Sequence, residues 1–206
     1  MEQNNPIEQA IADNEPDVPV SKLYKTALES GVLLALIGIG LFVLLYLIGV
    51  EFITKWWVGI LILLVMLVID VFLALRIKKK SGMKVISYWQ AFFAVVIMMA
   101  VGAYVSSGFQ YLMTKVIDPE YNENLKNATI KNTIEFMENV GAPQDQIDET
   151  IDGMLVSFES QQNFSVTQFL LGIVYSFIWF AVFAFIMAIW VRKKVPIFDP
   201  NLNRQT

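Results

Sequence analysis

Apolar residues along this chain gather into four long blocks with almost no charge inside them, separated by segments that are polar throughout. A helix needs roughly 20 apolar residues to cross a hydrocarbon core about 30 Å thick. The pattern predicts spans over about Ala27–Val50, Trp56–Leu75, Tyr88–Leu112 and Thr167–Val191. The expected fold is therefore an all-α integral membrane protein of four transmembrane helices, with an extracytoplasmic helical hairpin between the third and fourth. Residues 23–113 carry the first three spans and residues 162–194 the fourth.

The polar segments set the orientation. Before the first span, residues 1–22 hold Glu2, Glu8, Asp13, Glu15 and Asp17 with three prolines, which reads as a disordered acidic tail. Its composition is not that of a cleavable signal peptide, which begins with a basic and then an apolar region. Lys22 and Lys25 precede span one, while the connector to span two holds only Lys55. Arg76, Lys78, Lys79, Lys80 and Lys84 follow span two, and Arg192, Lys193, Lys194 and Arg204 follow span four. Basic loops stay on the cytoplasmic side, so both termini, the tail 195–206 included, are expected in the cytoplasm. Trp56, Trp57, Tyr88, Trp89 and Trp190 mark the interfaces, whereas Trp179 falls in mid-span and reads as lipid-facing or packing.

Residues 114–161 form the long extracytoplasmic segment, with ten acids against Lys115, Lys126 and Lys131. Asp118-Pro119 is a helix start, an N-cap acceptor before a residue whose missing N–H costs nothing at N1. Leu125, Ile130, Ile134 and Met137 suggest one apolar stripe. Gly141-Ala142-Pro143 breaks it, and Ile147, Ile151, Met154, Leu155 and Phe158 form a second. The hairpin is expected to pack face to face or to lie on the membrane surface, and to offer a surface to a membrane or periplasmic protein partner.

Composition then narrows the chemistry. Hydrophobic residues make up 56% of the 206 and charged ones 17%, against about 25% charged in an average soluble domain. Cysteine and histidine are absent, which removes thiol relays, histidine-based metal sites and Ser-His hydrolysis. A net charge of −4 argues against nucleic-acid binding. No P-loop, GxSxG elbow or EF-hand loop occurs. The reading is non-enzymatic, with no catalytic residue, metal or cofactor; a homo-oligomer is compatible with it.

Asp70 is the one Asp inside a span, about 9 Å from the boundary that Arg76 marks. A carboxylate near a helix centre costs about 2.5–3.5 kcal/mol on insertion scales, so it calls for a partner or a function. Counted by depth, Glu29 and Gln90 are its expected companions in an inner-leaflet polar cluster, with Lys25 or Lys84 snorkelling toward it. The simpler interpretation is an interhelical hydrogen bond or ion pair near the interface; the functional one is a proton or ion site. Gly31 with Ala35, Gly102 with Ser106, Ala103 with Ser107 and Ala184 with Ala188 are small-xxx-small pairs that read as packing seams. No proline interrupts a span, which weighs against the broken helices of many transporters.

Tyr24-Lys25-Thr26-Ala27 leading to Gly31, Ile86-Ser87-Tyr88-Trp89-Gln90-Ala91-Phe92 opening span three, and Ile117-Asp118-Pro119-Glu120-Tyr121 after it carry a family resemblance. In these stretches and their order, from about Tyr24 to Lys194, the chain resembles the bacterial four-span membrane proteins of domain-of-unknown-function family 4199. The resemblance implies that architecture and a bacterial inner-membrane location, and it assigns no activity. Two functions follow as expectations: a structural or interaction protein, and a small transporter or channel subunit using the cluster around Asp70.

Overall fold

The computed structural model describes residues 19–162 and 166–193. The acidic tail up to residue 18 and the tail 195–206 lie outside the described residues. Helix α1 (Val20–Ile48) starts directly after Pro19. Residues 20–22, expected as the end of the tail, are its first turn. The helix stops where Gly49 takes φ 102°, a conformation that costs glycine little and other residues much. A single turn, α2 (Val50–Ile53), leads into α3 (Trp56–Lys80). Next come α4 (Tyr88–Leu112), a π-helical turn (Met113–Ile117), α5 (Tyr121–Asn139), α6 (Gln144–Gln162) and α7 (Val166–Val191).

Helices α1, α3, α4 and α7 are long and apolar enough to cross a membrane. The third expected span matches α4 at both ends, and the other three differ at their edges. Contacts between helix ends define two ends of the bundle: a terminal end, where α1 begins and α7 stops, and an insert end, where α4 leads into the α5–α6 insert. At the terminal end Lys80 of α3 pairs with Glu29 of α1, and Lys78 donates to the Trp190 carbonyl of α7. At the insert end the Tyr46 hydroxyl of α1 donates to Asp118, which follows α4.

Around the bundle, α4 packs mainly on α1 and α7, and α3 also packs on α1 and α7. The circular order is thus α1–α3–α7–α4, with α3 and α4 meeting only sparingly across a diagonal. The fully buried residues Leu23, Ala27, Ile77, Ala91, Ala94, Val95, Met98, Ala184, Ala188 and Val191 all lie in the terminal half. Alanines there let the helices close up. Lipid tails are as apolar as leucine, so close van der Waals packing rather than burial from water holds such helices together.

The α1–α4 seam follows the small residues. A Cβ on Gly31 would sit 2.8 Å from the Met98 carbonyl oxygen, and one on Gly102 2.5 Å from Leu34 Cδ2. Ser106 Oγ donates to the Ala35 carbonyl at 3.3 Å. The Gly31/Ala35 and Gly102/Ser106 pairs are therefore packing positions, and Ala184 and Ala188 are fully buried too. Ala103 and Ser107 line an opening, which Gly102 and Ser106 also border. Outward, Leu36, Leu44, Leu47, Leu63 and Phe72 cover the bundle with exposed apolar surface, as a lipid-facing belt requires; Trp179, 64% exposed, belongs to it.

Candidate functional site

Between the four long helices, in the insert half of the bundle, lies a cleft of about 340 Å³. Leu34, Gly38, Leu41, Phe42 and Leu45 line it from α1, and Ile62, Met66 and Asp70 from α3. Helix α4 adds Met99, Gly102, Ala103, Ser106, Ser107 and Gln110, and α7 adds Phe180. Leu34 and Met99 belong also to the buried core, so the cleft ends where the packed terminal half begins. Bulky Phe42, Leu45, Ile62 and Met66 alternate along its walls with small Gly38, Gly102, Ala103 and Ser106.

Asp70 lies at the closed end of the cleft. It sits about 21 Å along α3 from Trp56 and about 15 Å from Lys80, in the middle third of the helix. Its Oδ1 is shielded from solvent and has no hydrogen-bond partner among the described residues. Such an atom loses the hydration that a carboxylate normally keeps and gains nothing from the protein in return.

The three expected cluster members do not meet. Glu29 is at the terminal rim, where the Lys80 ammonium lies 2.6 Å from its carboxylate and Lys25 and Arg76 add attraction. Gln90 is the third residue of α4 and completes a capping box: the Ser87 hydroxyl accepts from the Gln90 N–H at 3.2 Å, and the Gln90 Oε1 accepts from the Ser87 N–H at 3.0 Å. Asp70 alone lines the cleft. Depth counted from basic residues misplaces them for two reasons. Helix α3 continues past Arg76 to Lys80. The following loop also folds under the bundle, burying Ser81, Met83 and Ile86, with Ile86 and Lys193 exchanging backbone hydrogen bonds at 3.1 Å. The Ser-x-x-Gln spacing at Ser87 was the legible signal for the role of Gln90.

The insert end is roofed by a polar and aromatic cap. After the π-helical turn the Asp118 N–H reaches the Met113 carbonyl at 2.8 Å. The Asp118 carboxylate then accepts from the Tyr121 N–H at 3.1 Å and from the Tyr46 hydroxyl at 2.9 Å. Asp118 thus serves as the predicted acceptor at the start of α5, although the regular helix begins at Tyr121. Phe42 touches the rings of Tyr46, Phe109 and Tyr121, tying α1, α4 and α5 together. Burial pushes the Tyr121 hydroxyl above its usual pKa of 10.0, with Tyr46 and Asp118 adding to the effect.

Further along α5, Asn132 donates to the Glu51 carbonyl at 3.1 Å and to the Thr54 hydroxyl, and Lys131 pairs with Glu51 at 3.4 Å. Helix α5 is thereby docked over the α1–α3 connection, with a polar cleft of about 550 Å³ between Tyr46, Glu51, Asp118, Asn124, Asn127 and Lys131. The buried positions of α5 are Tyr121 and Ala128, and the expected Leu125, Ile130, Ile134 and Met137 stripe is half-buried. In α6, which packs on α5, Ile147 is buried and Ile151, Met154, Leu155 and Phe158 are half-buried.

Four membrane-length apolar helices around a packed half and an open half define a multi-pass membrane protein. The chain belongs to the DUF4199 family, proteins of unknown function, whose family model matches residues 29–193. No curated protein and no solved structure matches the chain.

Proposed function

We propose that this protein is a non-enzymatic binding protein of the bacterial inner membrane, with both termini cytoplasmic and the acidic α5–α6 insert outside. The observation that carries the reading is the cleft around Asp70. It occupies the insert half and ends on the packed terminal half, the shape of a receptor site rather than a conduit. The segregation of Lys and Arg supports the orientation. Helix α6 has five acids (Asp145, Asp148, Glu149, Asp152 and Glu159) and no basic residue, which suits contact with a cationic partner outside.

A second reading, a small transporter, is favoured by the unpartnered Asp70 oxygen, because intramembrane acids facing a cavity mark ion and proton paths. Proton flux into proteoliposomes loaded with a pH-sensitive dye separates the two. The binding reading expects no flux above that of protein-free vesicles. A flux that the Asp70→Asn variant abolishes would replace it with the transporter reading.

A further inference from the structure

The chemistry of the cleft narrows what it can hold. Its lining is mainly apolar, and among the described residues no Lys or Arg contributes to it and Asp70, at the closed end, is its one ionisable group. Lys78, Lys80 and Lys193, cations of the terminal end, are engaged with Trp190, Glu29 and Met83. A carboxylate oxygen held out of water beside apolar walls is satisfied best by a group that brings both positive charge and N–H donors. We infer that the cleft takes an amphiphilic ammonium ion, a short apolar body ending in a protonated amine, with the ammonium on Asp70 and the body along Phe42, Met66 and Phe180. This rests on the reading of the cleft as a ligand site.

Competing occupants fit less well. A hard metal ion needs six or more oxygen ligands, and no group of three Asp or Glu residues gathers among the described residues. A lipid headgroup stays at the interface, whereas Asp70 lies about 15 Å and about 21 Å from the two ends of its helix. The ligand must therefore carry its own charge into the bundle. A volume of about 340 Å³ is at the small end of ligand cavities, which limits the body to a short chain or one ring. Ser107 and Gln110, on the α4 wall between Asp70 and the insert end, add polar groups to the lining.

The test is photolabelling of the full-length protein in nanodiscs with two diazirine probes of equal chain length, one ending in an amine and one in an alcohol. Adducts are mapped to the peptides carrying Phe42 and Phe180. The inference expects about tenfold more cleft labelling by the amine, the margin of one charge-assisted contact over a neutral one. Asp70→Asn should erase that preference while leaving alcohol labelling intact, and Asp70→Glu should keep it. Unchanged size-exclusion elution shows that each variant is folded. Met66→Trp, which fills the cleft, should remove both signals. Equal labelling by both probes in the unmodified protein, unaffected by Asp70→Asn, would overturn the ammonium inference and leave the cleft a binding site. No cleft labelling by either probe would overturn both.

Discussion

Replacing Gly102 with alanine is the sharpest probe of how α1 and α4 meet. The added Cβ would stand 2.5 Å from Leu34 Cδ2 and 2.7 Å from its Cγ, and Leu34 is only 5% exposed, so its side chain has little room to retreat. Overpacking of this kind costs about 1–3 kcal/mol. Alanine also gains about 1 kcal/mol of helix propensity over glycine, which partly hides the clash. Gly108 supplies the control: it lies in the same helix, and a Cβ there meets nothing within 4 Å. The propensity gain is common to both changes, so the difference between Gly102→Ala and Gly108→Ala isolates the packing cost at about 1–3 kcal/mol. Equilibrium unfolding in mixed micelles, followed by far-ultraviolet circular dichroism, measures both. Leu34→Ala should be destabilising by about 2–5 kcal/mol alone. Combined with Gly102→Ala it should cost less than the sum, with a coupling of about 0.5–3 kcal/mol. Identical stabilities for the two glycine variants, together with additivity at Leu34, would refute the close approach of these helices.

Other positions give equally specific expectations. Ser87→Ala removes the acceptor of the capping box and should lower unfolding stability by about 1 kcal/mol; Gln90→Glu keeps the acceptor and should preserve it. The Tyr121 hydroxyl should ionise above its usual value of 10.0 in an ultraviolet difference titration, and Tyr121→Phe should delete that component. Above pH 10 the unfolded chain gives up the Tyr121 proton before the folded one. This contribution to stability is therefore full below that pH and lost as pH rises through the folded pKa, a loss that Tyr121→Phe should abolish.

Much of the architecture was legible because a bilayer imposes it. A span must be long and uncharged, and α4 could be read to the residue from Tyr88 to Leu112. The extension of α1 back to Val20 was hidden, since a helix emerging from the bilayer can carry Lys22 and Lys25 without any hydropathy signal. Asp118 was read correctly as an acceptor, while its bond to Tyr46, 72 residues away, depends on how α1 and α4 pack. The polar cluster failed at the same level. Helices apolar all round do not show which face meets which neighbour, so the α1–α3–α7–α4 order could not be derived. Depth along one helix was an uncertain guide to depth along another once the 81–87 loop folded inward. The seams at Gly31 and Gly102 were visible as small-residue pairs, whereas the cleft that Gly102 and Ser106 border together with Ala103 and Ser107 was not.

The central claim is that α4 crosses the membrane and leaves the basic loop before it and the acidic insert after it on opposite faces. The chain has no cysteine, so a single introduced thiol is the only one to react. Labelling intact cells with a membrane-impermeant maleimide should modify the Gln144→Cys variant at once, and the Lys79→Cys variant only after permeabilisation. Labelling of both variants in intact cells would contradict the crossing, and labelling of Lys79→Cys alone would invert the orientation.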